Sequence, residues 1–279
     1  MVQRFKGKTV FITGASSGIG EALAHAFAAE GAHLALTARR LDRLEKIANE
    51  LAQKGTKALA LKCDVTDRAS LDAAVAQTIE AFGHIDVAVA NAGFGVTGPF
   101  QKLRTADFRR QFETNVFGLI ETVYAVLPHL QASKGRLALL SSVSGRVGSP
   151  GSSPYVASKF AVTGLAESIY YDLLRDGISV TCIEPGFVES NIRMTDNTGQ
   201  FREDWKDPVP QWMVVPSARA ARAMVNAIYK GKPEAVITGH GKVFAWLARH
   251  FPRSTRFVQR HGARRMPDGP PPERENSAK

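Results

Sequence analysis

From residue 9 to residue 238, short apolar runs alternate with helix-compatible stretches, and no Pro/Gly/Ser-rich linker interrupts them. The apolar runs are residues 9–13, 33–37, 57–63, 85–90, 136–141, 179–183 and 235–238. Helix-compatible stretches cover 21–30, 41–53, the segment from an Asp67 N-cap to about Phe82, then 105–130, 154–175 and 217–229. In 41–53, Leu41, Leu44, Ile47, Ala48 and Leu51 recur at helical spacing. The apolar runs show no polar/apolar alternation, so both faces of each strand are buried. Buried strands separated by helices imply a parallel sheet covered on both sides. A chain of 279 residues, 44% hydrophobic, can fill the core of one such α/β domain.

Within that frame, Tyr155 and Lys159 stand four residues apart at the start of a helix, on one face and one turn apart. Bringing a phenol from ~10 to about 7 takes roughly 4 kcal/mol of preference for the phenolate. A neighbouring ammonium can supply much of that, giving a group that exchanges protons at neutral pH. Taken alone, the pair also fits a core tyrosine and a solvated lysine.

Thr13-Gly14-Ala15-Ser16-Ser17-Gly18-Ile19-Gly20 follows the first strand and opens the first helix. Glycines there permit a tight turn and close approach of backbone to a pyrophosphate, which the helix N-terminus attracts. At the end of the second strand, Ala38 occupies the position where an acidic residue would bind NAD ribose, and Arg39 and Arg40 follow. Guanidinium suits a 2′-phosphate. The expected cofactor is NADP(H), with Arg39 favoured. Asp64-Val65 and Asn91-Ala92-Gly93 end strands three and four, where open α/β sheets bind ligands. Asp64 could accept from an adenine amino group, and the backbone of Asn91, Ala92 and Gly93 could line a ribose. Taken alone, either group is better accounted for by ordinary turn chemistry. Ser141-Ser142-Val143-Ser144-Gly145 ends strand five thirteen residues before Tyr155, placing hydroxyls at a pocket mouth.

In order and spacing, Thr13-Gly14-x-x-x-Gly18-x-Gly20, Asn91-Ala92-Gly93, Asn115, Ser142, Tyr155-x-x-x-Lys159 and Pro185-Gly186 resemble the short-chain dehydrogenase/reductase family over residues 5–240. The resemblance implies a doubly wound (Rossmann) sheet of seven strands, a nicotinamide cofactor and a catalytic tetrad of Asn115, Ser142, Tyr155 and Lys159. It implies that Tyr155 exchanges the proton, Lys159 lowers its pKa and binds the nicotinamide ribose, and Ser142 orients the substrate oxygen. The resemblance further implies that Asn115 kinks its helix and that its backbone carbonyl holds a water linking Lys159 to solvent. The same resemblance implies that Pro185, Gly186, Phe187 and Val188 border the nicotinamide, with the Val188 backbone expected at its carboxamide. Ser190 stands where the family often has threonine. The resemblance also suggests a homodimer or homotetramer through the helices at 105–130 and 154–175.

Substrate contacts are expected from a lid at 189–216, rich in Met194, Phe201, Trp205, Trp212 and Met213, with Phe94, Val96, Val147 and Phe187 opposite. That set suits a bulky, lipophilic carbonyl or alcohol, a 3-oxoacyl thioester being one alternative. Aromatics at this density equally fit a lid that packs on itself. Pro208, Pro210 and Pro216 suggest an irregular, mobile segment. A dinucleotide-binding sensor or scaffold without turnover is the rival class, and the full tetrad argues against it.

The net charge of +10 is concentrated late in the chain. Between Gly239 and Arg265 stand Lys242, Arg249, Arg253, Arg256, Arg260, Arg264 and Arg265, with no acidic residue. Val243, Phe244, Trp246, Leu247 and Phe251 form an apolar stripe among them. The extension at 241–266 reads either as a basic amphipathic helix on an anionic membrane, through 242–260, or as a helix packed on its own domain or across a dimer. No recognition motif accompanies the charge, so nucleic acid is not an expected partner. A tail at 267–279 is expected to be disordered. Cys63 and Cys182 have no metal-ligand spacing, no metal site is expected, and both thiols read as buried in a reducing compartment. The first eight residues lack the apolar core of a signal peptide and no uncharged apolar stretch reaches ~18 residues. The expected location is cytoplasmic, with the membrane surface open.

Overall fold

A computed structural model describes residues 3–205, 207 and 209–263. Pro208, Arg264, Arg265 and the tail from Pro267 lie outside the described residues.

The strands are β1 (Thr9–Thr13), β2 (His33–Ala38), β3 (Ala58–Lys62), β4 (Val87–Ala90), β5 (Arg136–Leu140), β6 (Ser179–Glu184) and β7 (Glu234–Val236). They form one parallel sheet in the order β3-β2-β1-β4-β5-β6-β7. The chain starts at the centre, winds out to β3, then crosses back to β4. That reversal opens a crevice at the carboxyl ends of β1 and β4.

The helices are α1 (Gly18–Ala29), α2 (Leu41–Ala52), α3 (Arg68–Phe82), α4 (Thr105–Phe112), α5 (Gly118–Ser133), α6 (Ser153–Leu174), α7 (Ser217–Tyr229), α8 (Gly239–His250) and α9 (Pro252–Ala263). The missing polarity alternation now has its cause. Val10 and Ile12 of β1 face a core with Leu23 and Phe27 of α1 and Met224 and Ile228 of α7. Phe11, between them in sequence, faces the opposite core with Leu71, Leu119, Val126 and Val162. Asp67 caps α3 as expected, accepting from the Ala69 amide at 3.0 Å.

Two departures matter for the site. The stretch at 105–130 is not one helix: a π-helical turn, Glu113–Phe117, separates α4 from α5, and Asn115 sits inside it. Such a turn inserts one extra residue, re-aims the side chains that follow, and is frequent at functional sites. The segment at 189–216 is internally tied. Asp196 accepts from the Thr198 and Gln200 amides and from Arg202, and Arg193 pairs with Asp207 at 2.6 Å. Among the described residues no helix is long and apolar enough to cross a membrane.

Candidate active site

The carboxyl ends of the strands open into one cleft of about 1470 Å³. At one end stands the glycine turn. Gly14 and Gly18 take positive φ, +67° and +59°. A Cβ on Gly14 would lie 2.8 Å from the Ala92 Cα, and one on Gly20 would lie 2.3 Å from the Gly14 carbonyl oxygen. The turn therefore packs directly on the strand-four loop. Asn91 props it there, its amide donating to the carbonyls of Thr13 at 2.8 Å and Gly14 at 3.2 Å. Gly18, Ile19 and Gly20 line the cleft where α1 begins, so the first-turn amides face it.

Arg40 and Arg39 part ways. The Arg40 guanidinium donates to the hydroxyls of Ser16 at 2.9 Å and Ser17 at 2.8 Å, closing over the turn. Arg39 is exposed at the rim and, among the described residues, has no hydrogen bond or ion pair. Asp64 and Val65 also line the cleft, and the Asp64 carboxylate accepts from the Thr66 amide at 3.0 Å.

Further along the cleft stand Ser142, Tyr155 and Lys159. Ser142 caps a short 3-10 turn, accepting from the Ser144 amide at 3.1 Å and donating to the Pro185 carbonyl at 3.3 Å. Helix α6 is fixed to the end of β5 by Ser141, whose hydroxyl donates to the Lys159 carbonyl at 3.0 Å. The Tyr155 phenol is pushed above its ordinary pKa by burial, while the neighbouring Ser142 hydroxyl and the charge of Arg193 act to lower it. Lys159 is buried, and burial lowers its pKa to about 8. Its ammonium donates to the Leu140 carbonyl at 2.6 Å. In this arrangement the phenol's burial is opposed by Ser142 and Arg193, while the Lys159 ammonium is engaged by the Leu140 carbonyl.

Asn115 does not line the cleft. Buried behind it, its side-chain carbonyl accepts from the Phe94 amide at 3.1 Å and its NH₂ donates back to the Phe94 carbonyl at 3.0 Å. It also donates to Ser158 at 3.3 Å, which itself donates to the Tyr155 carbonyl at 2.7 Å. The π-turn thereby ties the strand-four loop to the first turn of α6.

Pro185, Gly186, Phe187, Val188 and Ser190 line the cleft, as do Phe94 and Val147. Four other expected substrate contacts do not. Val96 is fully buried, its amide held by Gln111 at 2.6 Å. Met194 and Trp205 stand outside the lining. Trp212 is 85% exposed, because the 3-10 turn Gln211–Met213 directs Met213 inward instead. In their place the lining holds Ile192, Arg193 and Phe201, and from α8 His240, Val243, Phe244 and Leu247. Gln259 of α9 donates to the Gly148 carbonyl at 2.5 Å, strapping the extension across the mouth. The apolar stripe was visible in sequence. That its inner edge is cavity wall was not.

A family model described as short chain dehydrogenase matches residues 8–200. The chain belongs to the short-chain dehydrogenase family. Oxidoreductase UcpA of Salmonella typhimurium is 41% identical over 189 residues, which is 67% of this chain and 72% of that protein. Among solved structures, a short chain dehydrogenase/reductase from Burkholderia phymatum in complex with NAD superposes with a TM-score of 0.80 at 24% identity, covering 90% of this chain and 96% of its own. At that identity the likeness speaks to the fold. An alcohol dehydrogenase from Thermococcus sibiricus, complexed with 5-hydroxy-NADP, superposes with a TM-score of 0.71 at 29% identity, over 82% of this chain and 95% of its own. As a short-chain dehydrogenase, the chain is an oxidoreductase that uses a nicotinamide dinucleotide. Its own residues fit that group: a turn with no room for Cβ atoms, a helix N-terminus facing the cleft, and a rim arginine beyond it.

Proposed function

We propose that this short-chain dehydrogenase interconverts a carbonyl and an alcohol on an apolar substrate with NADP(H), Tyr155 acting as general acid and base. The observation that carries the reading is the Tyr155 phenol facing a cleft whose far wall is Phe187, Met213, Val243, Phe244 and Leu247. A bound nicotinamide supplies or accepts the hydride. The protein's part is placement and proton transfer. Ser142 holds the substrate oxygen beside the phenol, and Tyr155, kept protonated by burial, gives its proton to that oxygen in reduction. Lys159 is placed to stabilise the phenolate left behind and to meet the nicotinamide ribose. Asn115 fixes the Phe94 loop against α6. Arg39, exposed beside a turn that Arg40 already closes, takes the 2′-phosphate.

The test is NADPH oxidation against lipophilic ketones, aldehydes and 3-oxoacyl thioesters, repeated with Tyr155→Phe. The variant should bind NADPH as wild type does and lose on the order of 10²–10⁴ in turnover. Unchanged turnover refutes the role.

Two further parts of the reading concern assembly. Tyr124 of α5, Phe160 and Tyr171 of α6 and Phe117 of the π-turn are all exposed, which supports a homodimer or homotetramer through those helices. Light scattering should return a multiple of the chain mass, and a monomer would reject it. On α8 and α9, and at Phe251 between them, Trp246, Phe251, Phe257 and Val258 are exposed among Lys242, Arg249, Arg253, Arg256 and Arg260. An aromatic face bearing only positive charge matches an anionic lipid surface. Vesicles containing phosphatidylserine should sediment the full chain and release the triple variant Arg253→Glu, Arg256→Glu, Arg260→Glu. Equal binding by both would overturn the assignment.

A further inference from the structure

His240 stands at the junction of two parts of the cleft that are far apart in sequence. It is the second residue of α8, and Thr238 caps that helix by accepting from the Gly241 amide at 3.2 Å. Because β7 lies beside β6, the start of α8 comes alongside the loop that follows β6, residues 185–188. There the Phe187 amide donates to His240 Nε2 at 3.1 Å. The imidazole also stacks on the Phe187 ring, 5.5 Å between centres and 23° between planes. Gly186 makes the approach possible, since a Cβ there would lie 2.2 Å from Thr238 Oγ1 and 2.7 Å from His240 Nε2.

A backbone amide can only donate, so Nε2 must present a lone pair. The ring is therefore neutral, with its proton on Nδ1. The Thr238 hydroxyl, 3.2 Å away, accepts from Gly241 and keeps its own proton to donate toward the same Nε2. Protonation of Nε2 would set an N–H against the Phe187 N–H, and that contact would open, whereas the Thr238 hydroxyl could turn to accept. The ring faces the Phe187 ring, the Gly186 backbone and the Thr238 hydroxyl. No charged side chain contributes to its titration, which burial alone lowers from the usual 6.5.

We propose that His240 is a positioning residue that, as a neutral imidazole, clamps the loop 185–188 to α8 and so fixes the cleft floor and the apolar wall as one unit. The proposal rests on the functional reading above. Among the described residues no hydrogen bond or ring contact joins the imidazole to Tyr155 or Ser142. Its influence runs through Phe187 on one side and through Val243, Phe244 and Leu247, carried by the same helix, on the other.

Hydrogen exchange read at the Phe187 amide, with rates corrected for intrinsic pH dependence, tests the clamp without any turnover. His240→Ala should speed that exchange at least about fivefold, the worth of one hydrogen bond. His240→Gln, whose side-chain carbonyl can accept, should restore part of the protection. In wild type, protection and kcat/KM should fall together as pH drops through the His240 titration, and the fall should be absent in His240→Gln. In His240→Ala, kcat/KM should fall on the order of tenfold to a hundredfold, as for a loop misplaced by about 1 Å. Unaltered Phe187 exchange in His240→Ala overturns the clamp. Faster exchange with unaltered kinetics and unaltered NADPH Kd overturns the positioning role. If no carbonyl is turned over by wild type, the functional reading fails, while exchange and NADPH Kd still decide for or against the clamp.

Discussion

The Lys159 ammonium lies 5.7 Å from the centre of the Tyr155 ring, and its hydrogen bond goes to the Leu140 carbonyl rather than to the phenol. Spacing alone put the two side chains on one helix face. Only the packing of α6 against the end of β5 sets where the amine points. The buried amine is itself perturbed, and that perturbation has a measurable sign.

Unfolded, Lys159 holds its proton up to about 10.5; folded, it releases it near 8. Between those values the unfolded chain binds more protons, so this residue makes stability rise with pH. Below pH 8 the cost of burying the ammonium is present in full. The expected gain from pH 8 to 10.5 is of order 3 kcal/mol. Denaturant melts of wild type and Lys159→Met should therefore show a stability difference that shifts across this window in favour of wild type. A difference that stays constant with pH would contradict it.

Asn115 meets the Phe94 backbone in both directions; its loss strands the Phe94 amide, while the Phe94 carbonyl keeps a bond from Gln111 at 2.8 Å. Asn115→Leu should destabilise the fold by about 1–3 kcal/mol, the scale for one buried unsatisfied group. Turnover should also fall, because the loop across from Tyr155 loses its register. Urea unfolding and steady-state kinetics check the two halves. Full stability in the variant would mean that the π-turn has another anchor.

Arg39 and Arg40 are adjacent, but only Arg40 is occupied by Ser16 and Ser17. Arg39→Asp should weaken NADPH by about 1.5–3 kcal/mol, roughly 10- to 100-fold, and leave NADH little changed. Arg40→Ala should weaken both dinucleotides together, since it loosens the turn itself. Kd values by fluorescence titration distinguish these outcomes. An Arg39→Asp variant with unaltered preference would remove the 2′-phosphate assignment.

Gly20 has no room for a methyl group: its Cβ would stand 2.3 Å from the Gly14 carbonyl and 2.9 Å from the Ala15 Cα. Both neighbours are backbone and cannot swing aside. Gly20→Ala should cost about 1–3 kcal/mol of stability and abolish dinucleotide binding. Gly148→Ala, where nothing lies within 4 Å, is the matched control at the same cleft. Dinucleotide affinity retained in Gly20→Ala would show that the turn can open without loss of function.

The sequence alone determined the α/β class, the parallel sheet and the positions of the glycine turn, Ser142, Tyr155 and Lys159. Those features are local or periodic. Strand burial appears as unbroken apolar runs, a glycine requirement as glycine, and a shared helix face as a spacing of four. What the sequence could not decide was direction. Trp212 and Met213 are neighbours of similar character, yet one faces solvent and the other the cleft, because a 3-10 turn rotates them apart. Val96 looked like a pocket residue until Gln111, fifteen positions away, fixed its amide and turned its side chain into the core. His240 and Phe187 are 53 residues apart and meet only because β7 pairs with β6. Contacts of that kind are set by sheet order and by how helices close over it. The apolar stripe of α8 carried no mark of which edge would face water and which would become the wall of the cleft.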